Sequence, residues 1–121
     1  SADSASNTIA RILDIFPAFD QERIRDLLST SLLSVICQKV IPKIGGGVVI
    51  AQEILIANDA VKSIIVSGNI ANLDNIIQTS RNEGMVSLNS ALIELVKDRQ
   101  ITREDALNNA TDKKMLENSL K

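Results

Sequence analysis

The chain has 121 residues and a formal net charge of −2, a length that fits one domain or part of one and a charge that gives no basic footprint for nucleic acid or anionic lipid. Apolar residues make up 45% of it and aromatic residues only 2%, which indicates a globular chain without the aromatic platforms that stack single-stranded bases. There is no His, and Cys37 is the one Cys, so the chain has no means of building a zinc site, a histidine-activated nucleophile or an internal disulfide, and a reducing cytoplasm is its expected home.

Ile9, Ile12, Leu13 and Phe16 recur at helical spacing, with Ser4 or Ser6 as N-cap and Pro17 as the stop. A second helix follows, capped by Asp20, with Ile24, Leu28, Leu32 and Val35 on its apolar face. Its Ser and Thr residues have poor helix propensity, so packing must hold it. From Ser34 to Ile44 the chain turns β-branched, and Gly45-Gly46-Gly47 separates this run from Val48-Val49-Ile50. The two runs predict a hairpin, with Pro42 suited to an edge.

Helices then resume. Ala60, Val61, Ile64 and Ile65 share one face, and Gly68 fits a C-cap. Ile70, Leu73, Ile76 and Ile77 form the next stripe before Gly84 breaks the pattern. Leu88, Ala91, Leu92, Leu95 and Val96 give the cleanest period behind Ser87 as N-cap. Thr102 to Asp105 has the form of a capping box for a helix containing Ala106, Leu107 and Ala110. The polar stretch from Asp112 to Lys121 is expected to fray. No apolar run approaches the ~20 residues that span a bilayer, so no direct membrane insertion is expected. The polar start, Ser1 to Thr8, has no signal-peptide pattern.

No catalytic, cofactor-binding or metal-binding residue is assigned. The triple glycine leads into a strand and lacks the Gly-Lys-Ser/Thr that a phosphate loop needs, so it is a turn. Asp14, Asp20, Glu22 and Asp26 alternate with Arg11, Arg23 and Arg25, the pattern of a salt-bridged face or a subunit contact rather than of a Mg²⁺ site. Arg11, Gln21, Arg25 and Gln38 are the candidate subunit contacts. Cys37 lies in an apolar run with nothing to activate it and is expected to be a structural thiol.

The order of particular residues carries further. Asp3-Ser4-Ala5, Thr8-Ile9, Arg11-Ile12, Asp14 and Phe16-Pro17 open the pattern, followed by Gln21, Ile24-Arg25 and Leu27-Leu28. Ser31-Leu32, Val35-Ile36, Gln38, Pro42, Val48 to Ala51 and Glu53-Ile54-Leu55 continue it. Ile76-Ile77-Gln78-Thr79, Gly84-Met85, Leu88, Ser90-Ala91-Leu92, Leu95, Ile101-Thr102, Glu104 and Ala106-Leu107 complete it. Together they resemble the C-terminal part of the secretion-type motor ATPases, closest to the PilT-like pilus retraction ATPases.

That resemblance implies a mainly α chain with a β-hairpin, the C-terminal fragment of a RecA-like α/β ATPase domain lacking the P-loop core. Residues 1–55 would be helices and a hairpin packing on the missing core, and residues 56–121 a helical C-terminal subdomain. The P-loop, Walker B acid and Asp box would lie upstream, as would a His box that either precedes or ends at Ser1, a Ser where the family usually has His. ATP and Mg²⁺ are then expected for the full-length parent and not for this chain, which alone would be inactive.

The implied partners are the rest of the core, neighbouring subunits of a homo-hexamer and an inner-membrane pilus platform protein. The implied location is the cytoplasm, peripheral at the inner membrane. The family's retraction helix, Ala-Ile-Arg-Asn-Leu-Ile-Arg-Glu, aligns with Ala60, Val61, Lys62, Ser63, Ile64, Ile65, Val66 and Ser67. Lys62 keeps a charge without the guanidinium fork, and Val66 and Ser67 lose both terminal charges. That divergence leaves open an accessory retraction ATPase, a pilus extension or type II secretion ATPase, or a divergent retraction motor; apart from the resemblance, the alternative is a stand-alone helical interaction module.

Overall fold

An antiparallel hairpin forms the spine of the molecule. In the computed structural model, which describes residues 3–121, strand β1 (Ser34–Pro42) pairs with β2 (Val48–Ile56) in a register running from Ser34 opposite Ile56 to Pro42 opposite Val48. Ser1, the residue aligned with a family His, lies outside the described residues. Residues 43–47 close the turn: the Lys43 N–H donates to the Gly47 carbonyl at 3.0 Å, and the Gly46 N–H to that of Lys43 at 3.1 Å. Gly45, Gly46 and Gly47 all have positive φ, 89°, 115° and 77°, which glycine adopts without the clash a Cβ would bring.

Two helices precede the hairpin. Helix α1 (Ala5–Asp14) is capped by Ser4, whose hydroxyl accepts from the Asn7 N–H at 3.1 Å. Its residues Ala5, Ile9 and Leu13, four apart, are all buried, the inward stripe that a 3.6-residue period produces. Helix α2 (Ala18–Ser31) starts directly after Pro17, so Asp20 lies inside the first turn and is not the N-cap. Proline's fixed φ suits a helix entry, and Asp20 instead pairs with Arg23 at 3.5 Å. Leu32 ends α2 in an extended conformation. Val35 therefore belongs to β1, although its side chain still meets the core that Leu28 and Leu32 join.

Five helices follow: α3 (Asp59–Ser67), α4 (Leu73–Thr79), α5 (Leu88–Lys97), α6 (Arg103–Asn109) and α7 (Lys113–Ser119). Ser87 caps α5 through the Ser90 N–H at 3.1 Å, and Thr102 caps α6 through the Asp105 N–H at 3.0 Å. The polar tail does not fray but forms α7. Asp112 accepts from the Met115 N–H at 3.0 Å, and Leu116 is fully buried, so one cap and one apolar anchor hold a short helix that propensity alone would not.

The hairpin divides its inner face between two apolar cores. At its open end, Leu55 packs with Ala5, Ile9, Leu13, Ile24, Val61, Ile65, Leu73, Ile77 and Met85. At its turn end, Ile41 and Ala51 pack with Leu88, Leu92, Ile101, Ala106, Ala110 and Leu116. Each fully buried Leu or Ile contributes about 1.5–3 kcal/mol. The turn is also tied to the second core, because the Ile44 N–H donates to the Gln100 carbonyl at 2.8 Å.

The outer face is different. Ile36, Val40, Val48 and Ile50 are 50–64% exposed there. β2 gains a bridge to Val86 on its free side, whereas among the described residues β1 pairs only with β2. Phe19 (86% exposed), Ile15 and Leu27 leave further apolar surface on α1 and α2.

Candidate functional site

The helix aligned with the retraction motif is α3. Asn58 caps it through the Val61 N–H at 2.9 Å, and Gly68, in the left-handed conformation with φ +82°, closes it. Val61 and Ile65 are fully buried, and Ile64 packs at the edge of the same core. Ala60 lies on the exposed side with Ser63, Val66 and Ser67, and Lys62 is half-buried. The inward stripe is thus Val61, Ile64 and Ile65 without Ala60, because Ala60 falls at the first turn, where α3 emerges from the loop after β2.

The four candidate subunit contacts separate into a pair and two single residues. Gln21 and Arg25 line a cleft of about 350 Å³ with Ala10, Asp14 and Gly68. There the Arg25 Nε donates to the Val66 carbonyl at 3.3 Å, a cation at the carbonyl end of α3, where the helix dipole favours it. A Cβ on Gly68 would stand 3.3 Å from the Arg25 guanidinium. The Gln21 amide donates to the Phe16 carbonyl at 3.2 Å. Arg11 lies elsewhere, in an exposed pair with Asp3 at 2.8 Å, and Gln38 faces outward opposite Gln52 on the hairpin.

The carboxylates Asp14, Asp20, Glu22 and Asp26 do not converge. Among the described residues no group of three or more His, Cys, Asp or Glu side chains is placed to hold a metal ion. Cys37 is half-buried, 3.6 Å from the Thr8 hydroxyl.

The most deeply placed charge is one that motif reading passes over. Glu53 sits on the inner face of β2 at 4% exposure. Its Oε2 accepts from the Ala5 N–H at 2.6 Å and its Oε1 from the Leu88 N–H at 3.1 Å. Ala5 and Leu88 are the first residues of α1 and α5, so one carboxylate meets the positive ends of two helices, one from each core. The sequence does hold a signal for this. In the period-two inner row Val49, Ala51, Glu53, Leu55, a carboxylate stands where the alternation demands an apolar residue.

Glu53 and buried Asn89 form the floor of a cavity of about 630 Å³, with Ser87 and Met115 beside them and Asp74, Asn75, Gln78, Thr111, Asp112 and Lys113 at its rim. The Ser6 hydroxyl donates to Asp74 at 2.8 Å, and the Asn89 amide nitrogen to the Asp112 carbonyl at 3.0 Å. Asn89 Oδ1 is buried without a hydrogen-bond partner.

No protein-family model matches the chain. It is 44% identical over 103 residues to the type IV pilus retraction ATPase PilT of Pseudomonas aeruginosa, which covers 85% of this chain and 30% of that protein. A twitching motility protein of Neisseria gonorrhoeae is 39% identical over 103 residues, 84% of this chain and 28% of its own length. Among solved structures, the pilus retraction motor PilT with bound ADP superposes with a TM-score of 0.86 at 38% identity, over 97% of this chain and 32% of that one. The chain thus spans just under a third of the length of the relatives it matches. No helix of the described residues is long and apolar enough to cross a membrane. A mainly helical chain with one antiparallel hairpin, matched in sequence and in three dimensions, it is homologous to PilT and corresponds to the C-terminal part of that RecA-like ATPase.

Proposed function

We propose that the chain works as the C-terminal region of a PilT-like motor ATPase that powers type IV pilus retraction, and hence twitching motility. In this reading ATP and Mg²⁺ act in the remainder of the motor. The chain packs on the rest of a RecA-like core and on neighbouring subunits of a homo-hexamer, and α3 helps to pass the nucleotide state toward a pilus platform protein at the cytoplasmic face of the inner membrane. Residues 1–55 would supply the surface toward the core, and residues 56–121 the surface away from it.

The observation that carries this reading is the apolar outer face of the hairpin beside the unpaired edge of β1. Strands with apolar residues on both faces belong inside a larger sheet covered on both sides. An open edge next to such a face would otherwise invite aggregation. The match to a retraction motor supplies the class of machine.

The test is a chimera in which this chain replaces the matching C-terminal part of the Pseudomonas aeruginosa PilT. ATP hydrolysis with restored twitching in a strain lacking the native protein is the expected result. Hydrolysis without twitching would overturn retraction in favour of extension or secretion. Neither activity, from a chimera that folds but stays monomeric, would overturn the motor reading altogether.

A further inference from the structure

The floor of the 630 Å³ cavity is a set of acceptors with too few donors. Asn89 is 4% exposed, and its Oδ1 has no partner. Leaving a buried acceptor unpaired costs about 1–3 kcal/mol, so native structures seldom do it without a bound group. The amide cannot be turned to hide the problem, because its nitrogen is already committed to the Asp112 carbonyl.

Beside it, each Glu53 oxygen has accepted one N–H, and a carboxylate offers about four acceptor sites, so two remain. Asp74 has accepted only the Ser6 hydroxyl. Around the cavity Glu53, Asp74 and Asp112 oppose the single cation Lys113. The volume falls in the range of small-ligand pockets, ~300–1,000 Å³. The described carboxylates are not grouped for a metal ion, and the acceptors left open on Asn89, Glu53 and Asp74 match a ligand that brings N–H donors.

We propose that this cavity binds an organic cation rich in N–H donors, of the guanidinium or polyamine class, with Asn89 Oδ1, Glu53 and Asp74 as its acceptors. The cation is either a free molecule or the side chain of an Arg or Lys on a second copy of the chain; the recognising chemistry is the same. Because Glu53 joins the first turns of α1 and α5, occupancy would brace the seam between the two cores.

The experiment is an NMR titration of the ¹⁵N-labelled chain with agmatine at low salt, with tetramethylammonium, which has the charge but no N–H, as the control. The expected result is a saturable shift of the Asn89 side-chain amide and the Leu88 N–H with agmatine alone. Binding should weaken at least tenfold in Asn89→Ala and severalfold in Asp74→Asn. Asp74→Asn changes an exposed rim residue, so it keeps the test decisive if Asn89→Ala fails to fold. Non-saturating shifts, equal shifts with tetramethylammonium, or binding unchanged in Asp74→Asn would each overturn the proposal. Without agmatine, movement of the same signals on dilution identifies a side chain of a second copy. Constant signals on dilution, with saturation by agmatine, identify a free molecule.

Discussion

The inner and outer faces of the β1–β2 hairpin have similar sequences and opposite surroundings. The inner rows hold Val35, Cys37, Lys39 and Ile41 facing Val49, Ala51, Glu53 and Leu55, and they carry two charged residues. The outer rows hold Ile36, Gln38 and Val40 facing Ile50, Gln52 and Ile54, and they carry none. Yet the inner face is the buried one: Ile41 and Leu55 are fully buried, whereas Ile36, Val40 and Ile50 are half exposed or more. Hydrophobicity therefore does not by itself tell which face this chain buries. What does is the amphipathic stripe of each surrounding helix, since α1, α3 and α5 have their apolar stripes on the inner side alone.

Substitutions on the two faces can break this contrast. Leu55→Ala on the inner face is expected to cost about 2–5 kcal/mol, the range for opening a cavity under a buried Leu, read as a lower urea midpoint with an unchanged slope. Glu53→Gln should cost about 1–3 kcal/mol by the same measurement. The Gln carbonyl can accept from only one of the two helix starts, and its NH₂ would face the other N–H donor to donor. Ile50→Thr on the outer face should stay within about 0.5 kcal/mol in the 121-residue chain, as exposed positions do. In the PilT chimera the same change should weaken assembly, read by gel filtration. An Ile50→Thr cost comparable to that of Leu55→Ala would mean that the outer face is already covered in the isolated chain, by self-association.

Glu53 also bears on how the cores unfold. Because its carboxylate holds the first turns of α1 and α5 together, the two cores should lose structure in one transition. Glu53→Gln should sharpen the comparison further by separating the melting of Leu88 and Leu92 from that of Ile9 and Leu13, followed by residue-resolved hydrogen exchange.

Much of this architecture was legible in the sequence. The caps Ser4, Ser87, Thr102 and Gly68 stand where side-chain chemistry and the αL requirement put them, and Gly45-Gly46-Gly47 marks the turn unambiguously. The departures have local causes. Val35 keeps the helical spacing of Ile24 and Leu28, so periodicity could not find the end of α2 at Ser31. Helix α7 rests on Leu116, with Leu120 at its end packed on the same core, and a single i, i+4 pair in a polar run is too short to set up a period. Gln21 and Arg25 share one face of α2, but Arg25 reaches the Val66 carbonyl at the end of α3 across a sequence separation of 41, a proximity that only the packing of α2 on α3 creates. The Glu53 cavity is assembled from β2, α4, α5, α7 and the residues before α7, and no spacing rule joins segments so far apart.

The contact between Arg25 and the end of α3 has a consequence for variation in this chain. The guanidinium lies 3.3 Å from where a Cβ at position 68 would stand, and the backbone there already requires a left-handed residue. Adding a single methyl group at Gly68 would thus strain the backbone and push the Arg25 guanidinium aside by a few tenths of an ångström, weakening its bond to the Val66 carbonyl. The smallest possible edit, at a residue with no functional group, would loosen the Arg25 contact at the end of the aligned retraction helix, while the buried Val61 and Ile65 would still hold that helix in the core.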